Sequence, residues 1–370
     1  MLDRLSTLLP RTVRGLTLAV LIAAAGTASA EVKLPALFAD HMVLQREMPV
    51  PVWGWAAPGE VVTVTFRDQS VQATAGDDGR WSVKLAALSV GPAATLTVAG
   101  TNTIVCNNVL VGEVWVCSGQ SNMQWSVAAA IDPDLEAAAA DYPDVRLFQV
   151  PLVSKAEPQS DVDAAWRVCA PDNVSSFTAV GYYYGRQLHK VLGVPVGLIQ
   201  TAWGGTRAEA WTSPRMMASR GEFRPILETW QQRCEGWDAE KAKAAYEEAL
   251  AKWEDAAAKA KAAGRQVPRR PQPEGDPRLS QHHPSNLYNA MVAPLVPYAI
   301  RGAIWYQGES NAGRAYQYRQ LMPAMIRSWR DAWQQGDFHF YIVQLANFKA
   351  IQPQPGESDW AELREAQMLT

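Results

Sequence analysis

The chain has 370 residues, 48% of them hydrophobic, four cysteines and a formal net charge of −3. That length suits two domains with a full core, and the composition excludes a disordered chain or a small disulfide-built scaffold. The near-neutral charge excludes the basic footprint of a nucleic-acid binder and favours a ligand that is neutral or weakly charged.

In chain order, residues 1–30 read as a signal peptide. Arg4, Arg11 and Arg14 precede the apolar stretch Leu16 to Ala25, and Ala28-Ser29-Ala30 offers a small-residue cleavage site before Glu31. The apolar stretch is too short to span a bilayer. The expectation is export to the periplasm or the medium, cleavage after about Ala30, and no membrane association afterwards. Over residues 31–110 the β-rich runs Val61 to Phe66, Trp81 to Leu85 and Ala94 to Val98 are punctuated by Pro58-Gly59, Gly76-Asp77-Asp78-Gly79 and Gly91-Pro92. This texture predicts a small β-sandwich.

From residue 111 strands alternate with helices, the pattern of a parallel sheet. Phe177, Val180, Tyr184, Leu188 and Val191 predict a helix that Gly193 ends, and Tyr318, Leu321, Met322, Met325, Ile326, Trp329 and Trp333 predict another. Between them, residues 236–266 are rich in Ala, Lys and Glu and lead into the proline-rich Val267 to Pro277. They read as a solvated helical arm within an insertion over about 216–280. Cys106, Cys117, Cys169 and Cys234 match no metal spacing. Buried free thiols are expected, with a Cys106–Cys117 bridge as the alternative.

Three strand-to-loop breaks carry the chemistry. Val114 to Cys117 breaks into Ser118-Gly119-Gln120-Ser121-Asn122-Met123, Val196 to Gln200 runs into Ala202-Trp203-Gly204-Gly205-Thr206, and Ala303 to Tyr306 runs into Gln307-Gly308-Glu309-Ser310-Asn311. Open α/β sheets place ligands at such carboxyl ends, so the three loops are expected at one mouth. There Ser121 can attack a carbonyl, while its own amide, the Gly205 amide and the Gln307 side chain donate to the developing oxyanion. Taken singly, the serine equally reads as a helix cap, the glycines as a tight turn, and Gln307 as a partner for backbone groups.

Together the strings Gly119-Gln120-Ser121-Asn122-Met123, Trp203-Gly204-Gly205-Thr206 with Glu209-Ala210-Trp211, and Trp305-Tyr306-Gln307-Gly308-Glu309-Ser310-Asn311 resemble the sialate O-acetylesterase group of SGNH-type hydrolases. Met42-Val43-Leu44-Gln45-Arg46, Leu287-Tyr288-Asn289-Ala290-Met291 and Arg364-Glu365-Ala366-Gln367 extend the resemblance over nearly all of the chain after residue 30 except the arm. It implies an SGNH-type, flavodoxin-like three-layer αβα hydrolase domain at residues 111–370 behind the β-sandwich. It also implies Ser121 as nucleophile, Gly205 and Gln307 in the oxyanion hole, and no metal or organic cofactor. Gln120, Arg207 and Glu309 are candidate substrate contacts, with bracing of the loops as the other reading of the two charged residues. Trp203, Trp211 and Trp305 suit either sugar stacking or core packing.

The family takes its base from an Asp-x-x-His element, a spacing that does not occur between Gln307 and Thr370. The sequence is therefore expected to stop short of that element. His282 and His283, in the loop returning from the arm, are the substitutes considered; His41, His189 and His339 read as structural. The expected function is a serine esterase that removes O-acetyl groups from sialic acid or related carbohydrates. An acetylxylan or other plant-glycan esterase and a non-catalytic glycan-binding protein are the alternatives.

Overall fold

The computed structural model describes residues 31–354 and 356–370, so the expected signal peptide lies outside the described residues. The early strands are β1 (Val43–Gln45), β2 (Val50–Trp55), β3 (Val61–Phe66), β4 (Gln69–Thr74), β5 (Arg80–Leu85) and β6 (Ala94–Ala99). β2, β3 and β5 bury alternate side chains, the pattern of a sheet with one solvated face. β2 and β5 form a two-stranded antiparallel ribbon, while β4, β3 and β6 lead in antiparallel order to β7 (Thr103–Gly119).

β7 is 17 residues long and serves two sheets. Its first part pairs antiparallel with β6, as Thr97 with Val105. Its last part is the centre of a mostly parallel sheet completed by β8 (Tyr142–Gln149), β9 (Trp166–Cys169), β10 (Val196–Ala202), β11 (Gly302–Tyr306) and β12 (His339–Ile342). The order across it is β9-β8-β10-β7-β11-β12, with β9 alone antiparallel to its neighbour. Residue 110, the expected domain boundary, thus falls inside a strand. β7 from Val109 onward and all of β10 are buried, as strands covered on both faces must be, which is why they read as continuous apolar runs.

Helices α1 (Ser121–Gln124), α2 (Pro133–Ala138), α3 (Ala179–Leu192), α4 (Pro214–Ser219), α5 (Arg224–Glu235), α6 (Ala239–Ala262), α7 (Ala315–Trp333) and α8 (Asp359–Met368) connect the strands. β7 separates two apolar clusters by its alternation. Val114 and Val116 join the cluster of Trp305, Trp329 and Trp333, while Trp115 and Cys117 join that of Phe177, Tyr182 and Leu198. Every residue of the predicted α7 stripe is buried. On α3 the buried face is instead Ala179, Gly181, Tyr182 and Gly185, and Val191 is exposed. The two glycines remove side chains where the helix lies on the sheet: a Cβ at Gly181 would come 3.0 Å from Cys117 Sγ, and one at Gly185 2.5 Å from Leu198. A search for apolar periodicity passes over such a face because it is built from absent side chains. Gly193 ends α3 in the left-handed conformation, as expected.

α6 buries only Ala257 and Ala260 and carries the exposed pairs Glu248–Lys252 and Asp255–Lys259, in keeping with a solvated arm. Cys106, Cys117 and Cys169 are buried free thiols and Cys234 is a half-buried one. No helix among the described residues is long and apolar enough to cross a membrane.

At the amino end of the parallel sheet Glu113 is buried between two guanidinium groups. Arg46 Nε donates to its Oε1 at 2.6 Å and Arg301 Nε to its Oε2 at 2.7 Å. Burial alone would raise the carboxyl, but the bonds from Arg301 and Arg46 outweigh it and hold its pKa below the ordinary value. With the folded pKa below the unfolded one, this contribution is present above an unfolded pKa of about 4.3 and lost as pH falls through the folded value. Glu113→Gln should therefore lower stability by about 3 kcal/mol at pH 7 and by less at pH 3, read from urea midpoints. An equal loss at both values would assign the effect to shape and not to charge.

Candidate active site

β10 and β11 flank β7 on opposite sides, so the loops that follow these three strands emerge together at their carboxyl ends. The first loop is forced into a sharp exit. Gly119 has φ +140°, and a Cβ there would lie 2.1 Å from the Tyr306 carbonyl oxygen. Gln120 N then donates to that oxygen at 2.9 Å, and the chain turns into α1 with Ser121 as its first residue. Ser121 is exposed, and its Oγ makes no hydrogen bond among the described residues.

The other loops close round it. Gly204 N donates to Gln124 Oε1 at 2.7 Å, and a Cβ on Gly204 would lie 3.4 Å from Ser121 Cβ. Gly205 has φ +75° and open space on its side-chain side, so glycine is required there by backbone conformation alone. The N–H groups of Ser121 and Gly205 have no partner among the described residues. From the third loop Ser310 Oγ donates to the Gly205 carbonyl at 2.8 Å, while Gly308 N and Ser310 N donate to Gln120 Oε1 at 3.3 and 3.4 Å. Gln120, a candidate substrate contact, is thus buried with its Oε1 engaged in holding two loops together, and its Nε2 makes no bond among the described residues.

Gln307 has a different setting from the one expected. It is fully buried, its Nε2 donates to Thr206 O at 3.2 Å and to Asn311 Oδ1 at 2.7 Å, and its Oε1 accepts from Tyr318 OH at 2.9 Å. Both N–H donors are taken, so in this structure the side chain braces the second and third loops and does not open onto the mouth. Asn311 extends the brace by donating to Glu209 Oε2 at 2.9 Å, and Arg314 pairs with Glu209 Oε1. Glu209 and Asn311 stand within the motif strings, but sequence alone gives them no role. Their signal is a charged residue and an amide beside strand-to-loop breaks, and only a contact between positions 102 residues apart reveals the pairing.

Of the charged candidates, Glu309 Oε1 accepts from Asn122 Nδ2 at 2.6 Å, which ties the third loop to the residue after Ser121. Burial pushes the Glu309 carboxyl up, and its Oε2 is buried without a partner. Arg207 is exposed and lines a cleft of about 350 Å³ with Glu209, Trp230 and Arg314. Trp211 and Trp305 are fully buried and meet edge to face at 6.1 Å, so both pack the core; Trp203 is half-buried at the mouth. Burial drives the thiol pKa of Cys117, on β7, far up, as it drives that of Cys106 to about 11.

Residues 271–370 match the carbohydrate esterase, sialic acid-specific acetylesterase family. The sialate O-acetylesterase of Rattus norvegicus is 30% identical over 346 residues, covering 84% of this chain and 59% of that protein. The human sialate O-acetylesterase is 29% identical over 367 residues, covering 91% and 62%. A crystal structure of a carbohydrate acetylesterase from Xanthomonas citri superposes with a TM-score of 0.72 at 34% identity, over 91% of this chain and 66% of that one. Residues 271–370 thus carry a sialic acid-specific acetylesterase domain, and most of the chain is similar to sialate O-acetylesterases. The chain spans about three fifths of the length of its curated relatives.

No described histidine hydrogen-bonds to Ser121. His41 Nδ1 lies 2.9 Å from Asn108 Nδ2, His189 Nδ1 lies 2.7 Å from the Val194 carbonyl, and His339 stacks on Trp115. His283 packs against Trp230, and His282 is pushed to a lower pKa by burial and then by Arg207 and Arg233. Among the described residues there is no cluster of His, Cys, Asp and Glu fit to hold a metal ion.

The three bonds of Gln307 give the brace a measurable weight. Gln307→Ala should cost about 2–3 kcal/mol of stability, since each bond is worth about 1 kcal/mol and Asn311 and Thr206 are left short of a donor. A loss below about 0.5 kcal/mol in urea unfolding, the range of a neutral surface change, would contradict the bracing role.

Proposed function

We propose that the protein is a serine esterase that removes O-acetyl groups from sialic acid or related acetylated carbohydrates. The observation that carries this reading is the exposed Ser121 hydroxyl at the point where β7 is flanked by β10 and β11, beside the amides of Ser121 and Gly205, which have no partner among the described residues. Ser121 Oγ adds to the acetyl carbonyl carbon and loses its proton to a base. The carbonyl oxygen takes up the negative charge against the two amides. Collapse expels the sugar oxygen, which takes a proton, and leaves acetyl-Ser121; water then attacks the same carbon and releases acetate. The Gln307 side chain supports this chemistry by holding the loop that carries Gly205, and its contribution to the oxyanion would require its Nε2 to leave Thr206. Arg207, the free Nε2 of Gln120 and the half-buried Trp203 are the groups offered to the sugar.

The relatives named above as sialate O-acetylesterases support the sialic acid substrate, and the Xanthomonas citri carbohydrate acetylesterase supports a wider range of acetylated carbohydrates. No base is assigned among the described residues. The second reading is a glycan-binding protein with the pocket but not the chemistry.

Both readings meet in one assay. In the protein as its gene encodes it, Ser121→Ala should reduce acetate release from 4-nitrophenyl acetate and from an O-acetylated sialic acid to less than about 1% of wild type, with an unchanged melting curve. Equal rates for variant and parent would mean another nucleophile. Binding of the acetylated sugar without any release of acetate by the parent would establish the glycan-binding protein.

A further inference from the structure

A cleft of about 720 Å³ lies between the β2–β5 ribbon and the chain segments around residues 159 and 296. It is separate from the esterase mouth. Val296 and Pro297 precede β11 at its amino end, whereas the catalytic loops follow the strands at their carboxyl ends. The volume is that of a small-molecule site.

The sequence Val52-Trp53-Gly54-Trp55 sets the character of its wall. β2 alternates in burial, so Val50, Val52 and Gly54 face inward while Trp53 and Trp55 share the outer face. Two positions apart on one strand, they stand roughly 7 Å from each other. Trp53 is held edge-on by Phe38, with ring centres 4.7 Å apart, and at 6.5 Å by Tyr298, which makes it a fixed platform. Across the ribbon Trp53 pairs with Ser82 and Trp55 with Arg80, and both partners also line the cleft.

The polar groups of this wall are unspent. Trp81, opposite Gly54 on β5, faces inward with its Nε1 buried and gives the cleft no donor. The indole N–H groups of Trp53 and Trp55 make no hydrogen bond among the described residues. Two donors and two aromatic faces are therefore offered to one space, with Gln159 also in its lining. Arg80 is the one charged residue of the lining, and Asp78 lies 3.8 Å from it. Such a surface has nothing to neutralise a phosphate or a polyanion. A pyranose ring fits its chemistry, because the C–H face of the ring covers an indole while its hydroxyl groups accept the indole N–H.

We infer that this cleft is a second carbohydrate-binding site, which holds a neutral oligosaccharide chain apart from the esterase centre. It goes beyond the proposed activity and does not depend on it, since it reads binding alone.

The test is isothermal titration of the full chain with xylohexaose and with cellohexaose. At least one should bind with a Kd below about 1 mM. Trp55→Ala should weaken that binding at least tenfold, as should Ser82→Arg, which fills the cleft from an exposed position and so keeps the test valid if the tryptophan variant fails to fold. Ser121→Ala should leave the Kd unchanged. Absence of binding to both sugars, or binding that survives Ser82→Arg, or binding that Ser121→Ala weakens as much as Ser82→Arg does, would overturn the second site. None of these outcomes bears on acetate release, so the esterase proposal stands or falls separately.

Discussion

Continuity of β7 is the constraint on which the rest of this structure depends. Its antiparallel pairing with β6, which shifts register between Ala94 and Leu96, and its parallel pairing with β10 and β11 lie on one run of backbone and so fix each other's position. The N-terminal strands and the parallel sheet are thereby joined through ladder hydrogen bonds and not through a flexible linker. The same strand delivers Gly119 to the edge of the sheet, where the close approach of Tyr306 allows no side chain and turns the chain outward at Ser121.

Buried carboxylates pin the two ends of that sheet. Glu113 at the amino end is matched by Arg46 and Arg301, and Glu209 near the carboxyl end by Arg314 and Asn311. Between them the strands are apolar and would tolerate small slips of packing. A buried charge does not tolerate them, because separation from its partner leaves an uncompensated ion in a medium that solvates it poorly. These pairs therefore fix position more than they add stability. The mouth at Ser121 benefits directly, since Glu209 holds Asn311, Asn311 holds Gln307, and Gln307 holds the Thr206 carbonyl beside Gly205.

The aromatic residues divide by the same logic of surroundings. Trp211, Trp305, Trp329 and Trp333 form one buried stack between α7 and the sheet, and their size serves packing. Trp53 and Trp55 are no less apolar, yet alternation on a two-stranded ribbon leaves them on its outer face, where an indole can meet a ligand. Residue type alone does not separate these roles.

The sequence by itself determined the order of strands and helices, the α7 stripe, the solvated α6 and the three loops that meet at Ser121. Those features are local: period, breaker residues and short motifs are written in consecutive positions. Tertiary structure decided what depends on distant partners. The face that α3 buries is made of Gly181 and Gly185 because Cys117 and Leu198 lie against them, and no periodicity of large residues records that. Gln307 looked like an oxyanion donor in its motif and became a brace once Thr206, Asn311 and Tyr318 were placed round it. A side-chain amide has two donors and one acceptor wherever it occurs, and only the fold determines which neighbours use them.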